Sequence, residues 1–193
     1  MKNLLPYDGF AWYQSQAITH ASAYLDRLLD EIPWQQERIR MFGREIAMRR
    51  MVSWHADEGL SYTYSGKVKE GLAWTPTLLD LRRQAEMLTG ATFNSCLLNL
   101  YHDGRDAMGW HSDDERALGP DPVIASLSLG EPRKFGFRHK QSGERVDLLL
   151  EHGSLLLMGT GVQQNWKHAL LPSAKATNPR VSLTFRRIFP ELS

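Results

Sequence analysis

Three widely separated side chains have the types and spacing needed to bind one divalent metal ion. His111 and Asp113 stand two residues apart in the segment GWHSDDE. Alternate residues of an extended chain project from the same face, so both side chains would leave one face at the start of a strand-like region. A third ligand must come from a distant strand, and His168 in NWKHAL lies more than fifty residues later, near the start of a late strand.

Two imidazoles and one carboxylate on one face of an octahedral metal leave three coordination positions for other ligands. That arrangement is typical of non-haem iron(II) oxygenases. A His-x-Asp motif also occurs by chance in many proteins. Four other histidines could supply the third ligand, although none begins a late strand within a hydrophobic hairpin: His55, His102, His139 and His152. The residues by themselves therefore leave the identity of the site open.

A pair of arginines near the carboxyl end could bind an anion. Arg180 and Arg186 in RVSLTFRR follow Asn178-Pro179, and their even separation predicts one face of a strand. Buried arginines are costly unless an anion accepts their hydrogen bonds, and a dicarboxylate such as 2-oxoglutarate would supply that charge. The alternative is an exposed edge strand whose arginines are solvated.

The elements that must position these side chains change in character near Gly90. Apolar spacing predicts an amphipathic helix over residues 15–32, before Pro33, and a second over 76–88. Thr75 can cap the second helix and Gly90 can end it. After Gly90, short apolar or alternating runs separated by turn residues indicate an antiparallel double-sheet jelly roll. We expect residues 37–66 to form an appended, partly hairpin-like lid.

The composition is that of one ordinary globular domain. The chain has 193 residues and a formal net charge of +1, so nucleic acid could be attracted only by local basic patches. The single cysteine, Cys96, excludes an internal disulfide and a multi-thiolate metal site within one chain. The amino-terminal segment lacks the apolar core of a secretory signal, and no run of eighteen apolar residues occurs. We therefore expect a cytoplasmic protein without membrane insertion.

Several segments in order resemble the catalytic half of the AlkB-like dioxygenases. They are NLYHDGRDAMGWHSDDE, PVIASLSLGEPRKFGFRHK, HGSLLLM and PRVSLTFR, and the earlier YTYSG resembles the substrate-side segment of that family. The resemblance covers about residues 41–188. It implies a mainly β α+β fold, a double-stranded β-helix with amino-terminal helices and a nucleotide-recognition lid. Residues 1–193 would form a single dioxygenase domain, with 1–90 as helical extension and lid and 91–193 as catalytic core.

The resemblance also implies the ligands of each site. His111, Asp113 and His168 would ligate Fe(II), and Asn99 and Tyr101 would hydrogen-bond the carboxylates of 2-oxoglutarate. Arg180 would bind the distal carboxylate, and Arg186 would lie nearer the metal and the acidic pair. Ser182 stands where the family usually has Asn, so it can replace only part of the hydrogen bonding of an amide.

The activity implied is oxidative dealkylation of bases such as 1-methyladenine and 3-methylcytosine. With O2 and 2-oxoglutarate, iron-oxo hydroxylation of the methyl group would release formaldehyde and succinate, without base excision. A base within a duplex must be flipped to reach a buried metal, and flipped bases are commonly held between aromatic rings. Tyr64 and His111 are the expected pair, with Tyr62 and Ser65 beside them. Asp114 and Glu115 could favour cationic bases, or Asp114 could simply pair with Arg186.

Two basic groups could contact phosphates. Arginines including Arg49 surround a Met-Phe-Gly tip, formed by Met41, Phe42 and Gly43, that resembles the intercalating finger of the family. Such a run is usually only a solvated face. A second group could hold the opposite strand: Arg133, Lys134, Arg138, His139 and Lys140. The partner would be alkylated DNA, with RNA and strandedness left open, and the protein would act as a monomer.

Two alternatives differ in substrate or in kind. The chain could be a 2-oxoglutarate oxygenase that acts on a protein or a small metabolite, in which case the arginine-rich tip would be incidental. It could instead be a jelly-roll binding module whose histidines are structural and which catalyses no reaction.

Overall fold

The computed structural model describes residues 1–41, 44–64 and 67–190, and within these it describes 37–41, 44–46, 62–64 and 67–69 by their backbone alone. In this part of the chain the strands are β1 (Ala11–Gln14), β2 (Gln35–Met41), β3 (Arg44–Ala56), β4 (Ser61–Tyr64), β5 (Lys67–Glu70), β6 (Ser95–Tyr101), β7 (Met108–His111), β8 (Ile124–Gly130), β9 (Arg133–His139), β10 (Arg145–Leu150), β11 (Ser154–Met158), β12 (Trp166–Leu170) and β13 (Arg180–Arg186). The helices are α1 (Ala21–Glu31), α2 (Pro76–Thr89) and α3 (Val162–Asn165).

The second predicted helix is confirmed with its caps, whereas the first begins later than predicted. The Thr75 hydroxyl accepts a hydrogen bond from the main-chain N–H of Leu78 at 3.2 Å, and Gly90 ends α2 in the left-handed conformation. α1 begins only at Ala21, because Gln16 and His20 have positive φ angles and the N–H of Ile18 donates to the carbonyl of Gly153. These contacts hold residues 16–20 in a turn.

The strands form two antiparallel sheets that enclose the site, as the predicted jelly roll requires. The large sheet has the order β1-β11-β8-β13-β6-β3-β2, and the small sheet has the order β10-β9-β12-β7. β4 and β5 form a separate two-stranded hairpin. The mainly β α+β fold is therefore confirmed.

The large sheet has an apolar face and a polar face because its residues alternate. On β13, Val181, Leu183 and Phe185 are fully buried in the core that also contains residues of α1 and α2. The intervening residues face the small sheet and include Arg180, Ser182 and Arg186. Helices thus cover one face, and the other face is left for polar chemistry.

The 37–66 segment is hairpin-like, but the structure does not show it as an appended unit. β2 and β3 form an antiparallel hairpin, and residues 51–56 of β3 continue into the large sheet by pairing with β6. β1 likewise pairs with β11. The first ninety residues therefore contribute strands to the same sheet as the later residues.

In the described residues, every helix is too short or too polar to cross a membrane.

Candidate active site

The two histidines of the predicted metal site meet across neighbouring strands. β7 and β12 are antiparallel, and His111 is paired directly with His168. The motif begins differently from the prediction: His111 is the last residue of β7 rather than near the start of a strand, and Asp113 lies beyond the strand. The last pair of the ladder between β7 and β12 is formed by these two histidines.

The three side chains present one potential ligand atom each, all within 4.8 Å of one another. His111 Nε2 lies 3.7 Å from Asp113 Oδ1, and His168 Nε2 lies 3.8 Å from Asp113 Oδ2. Among the described residues, this is the one group of three or more His, Cys, Asp and Glu that could hold a metal ion. Two imidazoles with one carboxylate fit a non-haem iron(II) site that keeps positions for other ligands.

Both imidazoles are oriented by contacts that leave Nε2 available. The carbonyl of Gly109 can only accept, so His111 donates through Nδ1–H at 2.8 Å and its Nε2 is left for a metal ion. Phe135 stacks on the ring of His168 with centroids 5.6 Å apart. Burial lowers the pKa of His168 to about 4, so this imidazole is neutral at pH 7, as a metal ligand must be.

A buried ion pair fixes the charge of Asp113. Arg186 Nη2 lies 3.0 Å from Asp113 Oδ1, and the Asp113 side chain is 5% exposed. Burial opposes ionisation of this carboxyl, but Arg186, followed by His168 and His111, outweighs it and the pKa is lower than usual. The partner of Arg186 is thus Asp113 and not Asp114, whose side chain is exposed.

The four other histidines make contacts elsewhere. His55 lies between Ser53 and the carbonyl of Ala73, and His102 contacts Asp106. The remaining two also have local partners: His139 contacts Ser142, and His152 accepts a hydrogen bond from the N–H of Gly130. The described contacts therefore bring only His168 to the His-x-Asp motif.

The predicted cosubstrate residues lie together on the polar face of the large sheet. Arg180 pairs with Tyr101, and Ser182 pairs with Asn99, across β13 and β6. Asn99 is buried, and its Oδ1 has no hydrogen-bond partner among the described residues. The Ser182 hydroxyl lies 3.4 Å from that of Ser126. Side-chain acceptors are thus left for a ligand.

Arg180 is a buried cation that has no carboxylate partner in the described part of the chain. The residue is 1% exposed, Nη2 donates to the hydroxyl of Ser128 at 2.8 Å, and Nε has no partner there. Burial lowers the pKa of Arg180 to about 10, so it is still charged at neutral pH. A buried, incompletely paired guanidinium fits an anionic ligand.

A cavity of about 540 Å³ gives access to the metal-site residues. Its wall includes Asn99, His111, Asp113, Glu115 and Arg186. Arg180, Tyr101 and Ser182 are not part of this wall. The two arginines share a sheet face as predicted, but only Arg186 reaches the cavity.

The cavity wall also contains residues that sequence reasoning missed. Arg50, Val52 and Trp54 line it from β3, and Glu70 lines it from β5. Arg50, Val52 and Trp54 alternate in the segment RRMVSW, which predicts that they share one face of a strand. This pattern could be interpreted only if β3 were known to pair with β6, where Val52 stands opposite Asn99.

Most residues predicted to contact substrate lie outside the described side chains. Phe42, Gly43 and Ser65 are not described, and Met41, Tyr62 and Tyr64 are described by their backbone alone. Asp114 does not line the main cavity; it lines a separate one of about 470 Å³. Arg49 lies 3.1 Å from a carboxylate oxygen of Asp103 and 3.3 Å from one of Asp106. A phosphate would have to compete with these two carboxylates.

Two members of the second predicted basic group are interior residues, which corrects that prediction. Arg133 is 1% exposed and donates to main-chain carbonyls of Asp103, Asp106 and Leu171. His139 is also buried, beside Trp166. Both belong to β9, where alternate residues face the core, so neither can meet a phosphate on the surface.

The lowered pKa of His168 predicts a pH-dependent stability of the metal-free protein. The unfolded chain has a histidine pKa near 6.5, so the folded state binds fewer protons below that pH. The free energy of unfolding should fall by roughly 3 kcal/mol between about pH 6.5 and pH 4 through this group. Urea unfolding across this range should show a smaller fall for His168→Asn than for wild type.

His20→Asn is the matched control, because His20 is exposed and Asn tolerates its left-handed conformation. This variant should keep the wild-type pH dependence. A His168→Asn variant that kept the same dependence would contradict the assignment.

The chain matches known proteins in sequence and in fold. Residues 8–186 match the model of the 2OG-Fe(II) oxygenase superfamily. The human alpha-ketoglutarate-dependent dioxygenase alkB homolog 3 is 38% identical over 184 residues, which are 90% of this chain and 64% of the relative. The human DNA oxidative demethylase ALKBH2 is 38% identical over 189 residues, which are 90% of this chain and 72% of the relative. The chain thus spans a little under two thirds of the first relative.

A solved structure described as "The structure of OsALKBH1" matches with a TM-score of 0.67 at 12% sequence identity, covering 95% of this chain and 99% of that one. At this identity the match supports the fold alone. The family model gives more specific information, because the matched residues 8–186 include His111, Asp113 and His168. The chain therefore belongs to the 2OG-Fe(II) oxygenase superfamily and, within it, to the AlkB-like family.

Proposed function

We propose that this protein uses Fe(II), 2-oxoglutarate and O2 to remove alkyl groups from damaged bases in DNA. The observation that carries the proposal is the set of His111, Asp113 and His168, of which Asp113 and His168 are buried, beside a cavity that could admit a base. Two relatives are named for related activities, one as a DNA oxidative demethylase. Oxidative demethylation fits a set of two histidines and one aspartate that could hold iron(II).

The proposed metal ligands are His111, Asp113 and His168. Bound iron would supply oxidation of a substrate C–H bond by O2, coupled to conversion of 2-oxoglutarate to succinate and carbon dioxide. Neutral His168 can bind the cation without first losing a proton, and the hydrogen bond of His111 Nδ1–H to Gly109 leaves Nε2 of His111 for the metal. Arg186 keeps Asp113 ionised and holds one of its oxygens. The protein's part is to orient these groups and exclude water.

The proposed 2-oxoglutarate site extends from the metal towards Arg180. Arg180 would pair with the distal carboxylate, which would complete the hydrogen bonding of its buried guanidinium. Asn99 and Tyr101 would contact the cosubstrate from β6, and Ser182 would contribute a hydroxyl. Arg186, at the cavity, would be the cation nearer the metal.

The substrate end of the cavity suits a cationic aromatic ring. Trp54 provides an aromatic wall, and Glu115 and Glu70 add carboxylates. Bases such as 1-methyladenine and 3-methylcytosine carry a positive charge, so carboxylates would favour them over normal bases. We therefore assign to Glu70 the role that the sequence suggested for Asp114, which is to favour a cationic base. Tyr64 remains the proposed partner of His111 in holding the flipped base.

The product follows from the chemistry of an N-linked methyl group. Insertion of one oxygen atom of O2 into a methyl C–H bond gives a hydroxymethyl group, and the other oxygen atom enters succinate. The hydroxymethyl group then leaves the ring nitrogen as formaldehyde, and the ring regains its normal hydrogen bonding. The damaged base is repaired without cleavage of the glycosidic bond.

A cationic surface on the small sheet supports nucleic acid as the partner. Arg145, Arg138 and Lys167 stand side by side on β10, β9 and β12, and all three are exposed. Arg145 also pairs with Asp147 at 2.8 Å, which offsets part of the repulsion among the three cations. Like charges in opposite positions destabilise a sheet, so a polyanion would relieve the rest. Trp110 of the edge strand β7 lies under both arginines, with guanidinium carbons 4.7 and 5.3 Å from its ring centroid.

The location of this surface links it to the cavity. β7 supplies His111 to the cavity wall, and its neighbour Trp110 projects to the outer face. Gly136 leaves room for Trp110, since a Cβ there would lie 2.8 Å from the indole. A strand whose flipped base enters the cavity could continue around the β7 edge onto this cationic surface.

The proposal includes a single dioxygenase domain over residues 1–193 that acts as a monomer in the cytoplasm. Pairing of β1 with β11 and of β3 with β6 supports the single domain. We propose alkylated DNA as the main substrate and test RNA in the same assay.

The decisive assay uses one sequence containing 1-methyladenine in three forms: single-stranded DNA, duplex DNA and RNA. Each is incubated with iron(II), 2-oxoglutarate and air. We expect mass spectrometry to show the unmodified base, and formaldehyde and succinate to form in equal amounts. Asp113→Ala removes the only anionic ligand of the set and should abolish all three products. If another substrate class stimulates succinate formation and no oligonucleotide does, the repair function is wrong.

Arg180→Met should separate cosubstrate binding from metal binding. Removing one partner of a buried ion pair costs about 3 kcal/mol or more, so the KM for 2-oxoglutarate should rise at least about 100-fold. Manganese(II) binding should be unchanged, because Arg180 is not part of the metal set. Arg133→Met removes another buried arginine and should lower stability without this effect on KM. An unchanged KM in Arg180→Met would contradict the assignment.

Arg138→Gln should weaken binding of an oligonucleotide and reduce its dependence on salt. Loss of one phosphate contact should make the slope of log K against log salt shallower by about 1. The control is Arg27→Gln, an exposed arginine on α1, which covers the other sheet. Fluorescence anisotropy at several salt concentrations measures both. Equal slopes for Arg138→Gln and wild type would exclude this surface from binding.

A further inference from the structure

The main chain at Asp113 needs a hydrogen-bond acceptor that β7 cannot supply. The last ladder pair of β7 is His111 with His168, so Asp113 lies beyond the strand pairing. A buried main-chain N–H without a partner is costly. The side chain of Gln163 provides the acceptor, with Oε1 2.9 Å from the N–H nitrogen of Asp113.

Gln163 is itself held on both sides. It is 2% exposed, and its Nε2 lies 3.7 Å from the sulfur of Met158. Its main-chain carbonyl accepts from Nζ of Lys140 at 2.8 Å. The start of α3 is fixed by the N–H of Gly161, which donates to Asp121 at 2.8 Å. The amide therefore presents its oxygen to Asp113 from a rigid segment.

The same segment also contains the second metal-site histidine. His168 follows Gln163 by five residues, through Trp166, whose carbonyl accepts from the Ser112 hydroxyl at 3.0 Å. Two contacts thus join the 112–113 segment to the 163–166 segment. The distance between the carboxylate of Asp113 and the imidazole of His168 depends on both of these hydrogen bonds.

We propose that Gln163 is a positioning residue, which holds Asp113 so that its carboxylate faces both imidazoles. This inference rests on the metal site of the proposed function. Without the amide acceptor, the main chain at Asp113 would turn towards water to satisfy its N–H, and the only anionic ligand of the set would move with it. Replacing a group that orients a metal ligand typically lowers metal affinity by about 10–100-fold.

The experiment measures manganese(II) binding by the loss of the free-ion EPR signal, without 2-oxoglutarate or nucleic acid. Gln163→Met keeps the volume and removes the acceptor, and it should weaken binding by about tenfold or more. Gln163→Asn keeps the amide but is too short to reach, and it should show the same loss. Gln163→Glu keeps an acceptor oxygen and should bind close to wild type.

The matched control is Gln164→Met, because the neighbouring glutamine is exposed and donates to the carbonyl of Pro120 instead. It should bind manganese as wild type does. Thermal unfolding of every variant accompanies the titration. Normal manganese affinity in both Gln163→Met and Gln163→Asn, with or without a lower Tm, would overturn the positioning role. Absence of binding by the wild type would overturn the metal site itself, and the inference with it.

Discussion

The pairing of His111 with His168 across β7 and β12 is the contact on which the site depends. An antiparallel ladder places opposite side chains within about 5.5 Å at Cβ, so two imidazoles more than fifty residues apart become neighbours through main-chain register alone. A shift of one residue would turn His168 to the outer face of the sheet. The proposed metal site therefore depends on the strand register of the small sheet.

Asp113 needs other support because it lies past the end of that ladder. Arg186 fixes its carboxylate from the large sheet, and Gln163 fixes its main chain from the segment before β12. β13 and α3 therefore converge on one acidic residue. The nearby guanidinium of Arg186 is the main reason that a carboxylate only 5% exposed can remain ionised.

One face of the large sheet packs in the hydrophobic core, and the other face contains the polar residues of the candidate site. Val181, Leu183 and Phe185 bury one face of β13 against the helices, while Arg180, Ser182 and Arg186 of the same strand face the site. Burial of Arg180, which has no carboxylate partner among the described residues, is unfavourable, and the apolar packing of the same strand can offset that free energy. A similar separation applies to β9, where Arg133 supports a loop from inside and Arg138 projects to the outer cationic surface.

Local pattern alone determined much of this protein. The capped helix α2, the jelly-roll strands and the common face of Arg180 and Arg186 follow from periods of 3.6 and 2 within each segment. The His-x-Asp spacing suggested a metal site, although Asp113 lies beyond β7 rather than on the same strand face. Tertiary structure alone decided that Arg186 pairs with Asp113, that Arg133 and His139 are interior, that Trp54 and Glu70 line the cavity, and that Gln163 supports Asp113. The physical reason is that strand register and loop path set these contacts, and both depend on how distant segments pack rather than on any one of them.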